Sequence, residues 1–128
     1  MKSPILLIED DQWLADSYLA VLRAQGHDVT QLSTAYEAME WMKNTAPALI
    51  IADVLLGDHN SFTLFHELQS YPDTANIPVI VCTTLDKEQF SGAQLSSYGI
   101  VEVLDKTTMT PDQLLLAVET HVSRERSQ

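Results

Sequence analysis

Hydrophobic and polar positions follow two distinct patterns along this chain, and together they predict five β-strands. Three short runs are apolar throughout, which is typical of strands that are buried on both faces of a sheet. Two other runs alternate apolar and polar residues, as strands with one covered face do. The continuous runs lie at residues 4–8, 48–52 and 78–83, and the alternating runs lie at 28–33 and 100–104.

Each predicted strand is followed by a helical pattern, in which apolar residues recur every three or four positions. Three of these helices also carry terminal signals. Gly26 is expected to end the first helix, Thr34 and Glu37 form a capping box for the second, and Thr110 with Pro111 opens the last. The predicted helices span residues 12–25, 35–45, 61–71, 86–97 and 111–124.

The strict alternation of strands and helices predicts an α/β domain with a parallel sheet and helices on both faces. The first, third and fourth strands are continuous and belong in the centre, whereas the alternating second and fifth strands belong at the edges. This gives the order 2-1-3-4-5 of a doubly wound, flavodoxin-like five-stranded sheet. A chain of 128 residues that is 45% hydrophobic can bury one such core, so we expect a single domain over residues 1–128.

Composition and charge exclude some classes of partner and indicate where in the cell we expect the protein. A formal net charge of −11 argues against direct binding to nucleic acid or to an anionic membrane. We find no secretory signal and no run of membrane-spanning length, so we expect a cytoplasmic protein. The single cysteine, Cys82, is expected to be a buried, reduced thiol. The histidines lack metal-ligand spacing and are predicted to lie at the surface or in loops; they are His27, His59, His66 and His121.

Charged and hydroxyl side chains collect where the predicted strands end. Asp53 interrupts an apolar run, and because burying a lone charge is costly, we expect it to emerge into a site. The first strand ends in Glu9 and Asp10, the fourth ends in Thr83, and the fifth leads into Lys106. Since sites in open α/β sheets form outside the carboxyl ends of the strands, these side chains are predicted to converge at one edge.

Such a cluster suits phosphoryl transfer. Clustered carboxylates repel one another and favour a hard divalent cation, for which we expect Mg²⁺. A carboxylate beside that cation can attack phosphorus, and an ammonium group can neutralise charge on the phosphoryl oxygens. The sequence therefore predicts Asp53 as a nucleophile. Asp11, which directly follows the acidic pair, is expected to cap the first helix.

In these motifs the chain resembles the receiver domain of two-component response regulators, over essentially its whole length. The matching motifs are ILLIEDD, LIIADVLL, PVIVCTT and VEVLDK. The resemblance implies that Asp53 accepts a phosphoryl group from a phosphohistidine, with Thr83 and Lys106 in catalytic roles. The donor would be a histidine kinase or a histidine phosphotransfer protein, and phosphorylation would change partner binding.

The resemblance also implies a magnesium site and a narrow activity. Mg²⁺ would be held by Asp10, Asp53 and the backbone carbonyl of Leu55, with Glu9 acting through water. A domain of this kind is not an enzyme towards other substrates, because its chemistry is limited to self-phosphotransfer and autodephosphorylation.

Four positions depart from the usual pattern of that family. Thr107 stands where proline is usual, Val103 where a switch aromatic is usual, Gly57 where proline is common, and Ser61 where glycine is common. None of them removes a phosphorylation residue. Without an aromatic ring at position 103, however, the usual coupling between hydroxyl movement and ring burial cannot operate in its familiar form. The alternative is a pseudo-receiver, a protein-interaction module with an atypical switch that does not cycle.

Two other classes of protein fit less well. A Mg²⁺-dependent phosphohydrolase with an aspartyl intermediate generally needs a second acid two residues after the nucleophile, where this chain has Leu55. A flavin-binding flavodoxin needs a phosphate loop after the first strand, where this chain has acids.

Leu116 suggests where a partner contacts the domain. It falls opposite the inward-facing stripe of the last predicted helix, which includes Leu114 and Val118. Receiver-like proteins often use this helix and its neighbours for contacts. We therefore expect an output partner or a second copy of the chain to bind in the region of the fifth strand and last helix.

Overall fold

The computed structural model describes residues 4–56, 59–84 and 92–126. In these ranges the strands are β1 (Ile5–Ile8), β2 (Val29–Leu32), β3 (Leu49–Ala52), β4 (Leu55–Leu56), β5 (His59–Asn60), β6 (Val79–Thr83) and β7 (Ile100–Asp105). The helices are α1 (Gln12–Ala24), α2 (Ala35–Met42), α3 (Phe62–Gln69), α4 (Gly92–Ser97) and α5 (Pro111–Arg126). The predicted fourth helix is thus present in its second half, and its first half lies outside the described residues.

Five of the strands form one parallel sheet in the order β2-β1-β3-β6-β7. This confirms the predicted order 2-1-3-4-5 and the doubly wound α/β class. Every residue of β1, β3 and β6 is buried, whereas β2 and β7 include partly exposed positions. The continuous apolar runs are therefore the central strands, and the alternating runs are the edges, as predicted.

The two faces of the sheet carry separate cores. On one face, residues of α1 and α5 pack against alternate side chains of the central strands, with Tyr18 and Leu22 among the α1 residues and Leu114 and Val118 among those of α5. On the other face, α2, α3 and α4 pack on the remaining strand side chains, and Phe65 of α3 is fully buried in that core. Together the helices cover both faces and leave the carboxyl edge of the sheet to the connecting loops.

The predicted terminal signals are present. Gly26 adopts a φ of +84° after α1, a left-handed conformation that favours glycine and stops the helix. The Thr34 hydroxyl accepts the Glu37 N–H at 3.1 Å, and the Glu37 carboxylate accepts the Ser33 N–H at 3.1 Å. At α5, Thr110 and Gln113 each accept the other's backbone N–H, at 3.2 and 2.9 Å.

The prediction for the histidines is wrong for His121, which is buried within α5. His27 lies in the predicted setting, the loop between α1 and β2, although it is buried there, and His66 is exposed. The side chain of His59 lies outside the described part. His121 follows Ala117 and Val118 by four and three residues, so it continues the inward stripe of α5. Its Nε2 lies 3.0 Å from the Oε1 of Glu102 on β7, which gives the buried ring a polar partner.

Two further details differ from or refine the predictions. A short antiparallel pair of strands, β4 with β5, lies between β3 and α3 and was not predicted. Cys82 is buried as expected, and burial raises the pKa of its thiol to about 12, which favours the protonated form.

In residues 4–56, 59–84 and 92–126, we find no helix long and apolar enough to cross a membrane.

Candidate functional site

Asp53 directly follows β3 and points into a contact with Lys106. Only 8% of its surface is exposed. The Nζ of Lys106 lies 2.6 Å from the Oδ2 of Asp53, so the buried carboxylate has a cationic partner. Lys106 follows β7 by one residue, and its backbone N–H donates to the Thr83 carbonyl at 2.9 Å. This bond extends the pairing of β6 with β7 and fixes the point from which the lysine side chain reaches across to β3.

The same ammonium group also binds Glu9. The Lys106 Nζ lies 2.6 Å from the Oε1 of Glu9, which is only 2% exposed. Burial raises the pKa of the Glu9 carboxyl, and the hydrogen bond and charge of Lys106 offset part of that rise. Burial alone lowers the pKa of Lys106, but its bonds to Asp53 and Glu9 outweigh this effect and raise the pKa above its ordinary value. Lys106 therefore stays charged and bridges two buried acids.

The backbone around Glu9 is held by its neighbours. Its N–H donates to the Leu32 carbonyl at 3.0 Å, and its own carbonyl accepts the Nε2 of Gln31 at 2.9 Å. Its Oε2 accepts the Asp11 N–H at 3.1 Å. The Asp11 carboxylate accepts the N–H groups of Trp13 and Leu14 at 3.0 and 3.2 Å, which confirms it as the cap of α1.

Asp10 and Thr83 complete the predicted set in different surroundings. Asp10 is exposed beside the two buried acids, whereas Thr83 is fully buried at the end of β6. Because Ala52 pairs with Val81, the ends of β3 and β6 lie at the same edge of the sheet. All the predicted strand-end residues are therefore on that edge, with direct contacts between Lys106 and both Asp53 and Glu9.

The oxygen groups at this edge match the chemistry that Mg²⁺ prefers. Among residues 4–56, 59–84 and 92–126, no group of three His, Cys, Asp or Glu side chains is arranged to hold a metal by itself. The predicted set differs from such a group, because it uses two carboxylates, Asp10 and Asp53, with a backbone carbonyl from Leu55 of β4. Mg²⁺ usually keeps several waters and needs only one or two carboxylates from the protein, so the donors present fit it.

Ser61 is a residue of the site that the sequence analysis did not assign. It is fully buried, and its hydroxyl donates to the backbone carbonyl of Asp53. Its backbone N–H donates to the Val54 carbonyl at 2.7 Å, and its own carbonyl accepts the Phe65 N–H in the first turn of α3 at 2.9 Å. The only signal in the sequence is a serine where the resembling family commonly has glycine, and that signal does not reveal the hydrogen bond.

The comparisons with known proteins agree with this geometry. The family model for the response regulator receiver domain matches residues 5–119. A gliding motility regulatory protein of Myxococcus xanthus is 32% identical over 109 residues, which are 78% of this chain and 14% of that protein. The chain spans 14, 29 and 35% of the length of the first three curated relatives it matches.

Solved structures show the same fold. The signal receiver domain of a histidine kinase from Syntrophus aciditrophicus superposes with a TM-score of 0.81 at 26% identity, covering 94% of this chain and 90% of that one. The receiver domain of the sensor histidine kinase PA1611 from Pseudomonas aeruginosa PAO1 has a TM-score of 0.80 at 20% identity, covering 96 and 99%. That structure contains a magnesium ion coordinated in its active-site cleft.

This chain belongs to the response regulator receiver domain family of two-component systems. The pseudo-receiver alternative is not supported by the family match.

Proposed function

We propose that this domain accepts a phosphoryl group on Asp53 and thereby switches the binding of a partner in a two-component or phosphorelay pathway. The observation that carries the proposal is the position of Lys106, whose Nζ lies 2.6 Å from both the Asp53 and the Glu9 carboxylates. A buried lysine between two acids is suited to neutralise the additional charge that a phosphoryl group brings.

The phosphoryl donor is a phosphohistidine on a histidine kinase or a histidine phosphotransfer protein. One carboxylate oxygen of Asp53 forms a bond to phosphorus while the bond from phosphorus to the donor nitrogen breaks. The electron pair of that bond stays on the imidazole, which takes up a proton. Lys106 already contacts Oδ2 of Asp53, so it lies beside the oxygens that gain charge during the transfer.

The other strand-end residues have supporting roles. When bound, Mg²⁺ supplies electrostatic stabilisation of the phosphoryl oxygens. Asp10, Asp53 and the Leu55 carbonyl would hold the ion, and Glu9 would act on it through water while anchoring Lys106. Thr83, buried at the end of β6, places a hydroxyl at the same edge as Asp53, where it can bind the transferred group.

The domain acts on itself and on no other substrate. It transfers phosphate only onto its own Asp53 and later loses it to water by autodephosphorylation. Its location is the cytoplasm, and it binds neither membrane nor nucleic acid directly, which agrees with the net charge of −11.

The surface formed by β7 and α5 is the proposed site of partner binding. Leu116 is 68% exposed there and lines a cavity of about 370 Å³ together with Leu104, Met109 and Ala117. Polar residues such as Glu102 and Gln113 line the same cavity, so an output partner or a second copy of the chain would cover a surface of mixed polar and apolar character. Since β7 leads directly into Lys106, the same strand joins the surface to the proposed site.

The proposal is tested by incubating the protein with acetyl phosphate and recording its intact mass, with Mg²⁺ and with EDTA. We expect a gain of one phosphoryl group that depends on Mg²⁺. No gain, with a melting temperature that is also insensitive to Mg²⁺, would contradict the proposal and leave only a protein-interaction module.

A further inference from the structure

Ser61 closes the segment that follows the proposed phosphoacceptor. Two of its groups bind two successive backbone carbonyls, because its hydroxyl donates to Asp53 and its N–H donates to Val54 at 2.7 Å. Between these contacts the chain runs through β4 and returns through β5, with Leu55 paired to Asn60. One buried residue therefore binds the backbone at both Asp53 and Val54.

The same residue also joins this segment to α3. The Ser61 carbonyl accepts the Phe65 N–H at 2.9 Å, so the first turn of the helix begins on it, and its side chain makes no capping bond to the helix. The hydroxyl is directed back to Asp53 instead. Phe65 is fully buried in the core, which gives Ser61 a rigid base from which to bind the backbone of the site.

We propose that Ser61 is a positioning residue for phosphorylation, whose hydroxyl fixes the backbone of Asp53 and, with it, the directions of the Asp53 carboxylate and the Leu55 carbonyl. This inference rests on the proposed function, because it assigns to Ser61 the support of a nucleophile and a metal ligand. Nucleophiles and metal ligands need to be held in place by their neighbours, because small displacements of these atoms lower the reaction rate and the metal affinity.

The substitution Ser61→Ala tests the hydroxyl with little other change. Ser61 has φ of −84° and ψ of 0°, a conformation open to alanine, and alanine is smaller than serine. The variant therefore loses the bond to the Asp53 carbonyl and keeps the backbone bonds to Val54 and Phe65. Ser61→Gly provides a second variant that also lacks the hydroxyl.

Thr74 offers a matched control at the opposite end of α3. Its hydroxyl donates to the Leu68 carbonyl at 2.6 Å, so Thr74→Val also removes a hydroxyl-to-carbonyl bond from a partly buried threonine. Because this bond is not at the carboxyl edge of the sheet, its loss affects stability and leaves the site in place.

Two quantities should be measured for each folded variant: the Kd for Mg²⁺ by calorimetry without phosphodonor, and the rate of phosphorylation by acetyl phosphate at saturating Mg²⁺. We expect Ser61→Ala and Ser61→Gly to weaken Mg²⁺ binding and slow phosphorylation by about tenfold each. Thr74→Val should lower the melting temperature and leave both quantities at the wild-type values.

Unchanged Mg²⁺ affinity and rate in Ser61→Ala would overturn the inference, and so would equal losses in Thr74→Val. If neither Ser61 variant folds, Ser61 is a determinant of folding and the positioning role is rejected. A wild-type protein that gains no phosphoryl group would instead refute the proposed function, so the two failures can be told apart.

Discussion

Lys106 and Asp53 form a largely buried ion pair, with Nζ 2.6 Å from Oδ2, although they follow different strands of the sheet and lie 53 positions apart in sequence. The hydrophobic pattern of the neighbouring residues does not by itself predict this contact. The two residues meet because β3 and β7 both end at the carboxyl edge, on either side of β6. The ion pair therefore depends on the strand order, and it places a cation beside the proposed phosphoacceptor.

Removing the lysine should destabilise the protein strongly. In Lys106→Met, the buried Glu9 and Asp53 carboxylates lose their cationic partner and repel each other. We expect the free energy of unfolding at neutral pH to fall by about 3 kcal/mol, as measured by urea denaturation.

Lys43→Met is the control for the lysine substitution. Lys43 also lies 2.6 Å from a carboxylate, that of Glu40, but the lysine side chain is 68% exposed. Solvent screens that pair, so little change is expected. A loss in Lys106→Met as small as that in Lys43→Met would show that the Lys106 bridge does not stabilise the fold.

The buried acid Glu9 should make stability depend on pH. Burial raises its pKa in the folded protein above the ordinary value of 4.5, so the folded protein binds this proton more tightly than the unfolded chain does. The contribution of this tighter proton binding to the free energy of unfolding is fully present below pH 4.5. It is lost as pH rises through the pKa of Glu9 in the folded protein. Glu9→Gln does not titrate and lacks this loss.

The measurement is the free energy of unfolding of wild type and Glu9→Gln between roughly pH 4 and pH 7. The wild-type value minus the variant value should decrease as pH rises. A difference that stays constant or increases would mean that burial does not control the titration of Glu9.

Magnesium should stabilise the fold without any phosphodonor. At ten times its Kd, a ligand that binds only the folded protein adds about 1.4 kcal/mol to the free energy of unfolding. The expected result is a higher melting temperature with MgCl₂ than with NaCl of equal ionic strength, and this gain should be absent in Asp53→Asn. A gain that persists in the variant would place the ion elsewhere.

Leu116 should support contacts between molecules. Because its side chain is 68% exposed on α5, Leu116→Glu places a charge on the surface without disturbing the core. We expect weaker self-association or weaker partner binding in sedimentation or pull-down measurements. Tyr36→Glu, at an exposed position of α2, is the control and should bind as the wild type does. Unchanged association in Leu116→Glu would show that the surface of β7 and α5 is not the binding site.

The sequence predicted the parts of the molecule that depend on local pattern. Continuous and alternating apolar runs distinguished central from edge strands, and the residues after each strand identified the rim of the site. His121 was missed because a histidine carries no hydrophobic signal, although its spacing from Val118 places it on the inward stripe of α5. Its partner, Glu102, lies on β7, so only the folded structure brings the two together.

Local sequence patterns do not predict the side-chain contacts within the site. Lys106 was expected near Asp53, but its equal approach to Glu9 depends on how far β1 and β7 extend at the edge of the sheet. The bond from Ser61 to the Asp53 carbonyl depends on the β4 and β5 pair, which is too short for any periodic pattern to reveal.

Phosphorylation of Asp53 itself can be detected by peptide-level mass spectrometry. After incubation with acetyl phosphate and Mg²⁺, borohydride reduction converts an aspartyl phosphate into homoserine and leaves free aspartates intact. We predict homoserine at position 53, none at Asp10 or Asp11, and none in an Asp53→Asn control. Homoserine at Asp10 or Asp11, or a phosphoryl group that survives in Asp53→Asn, would show that Asp53 is not the phosphoacceptor.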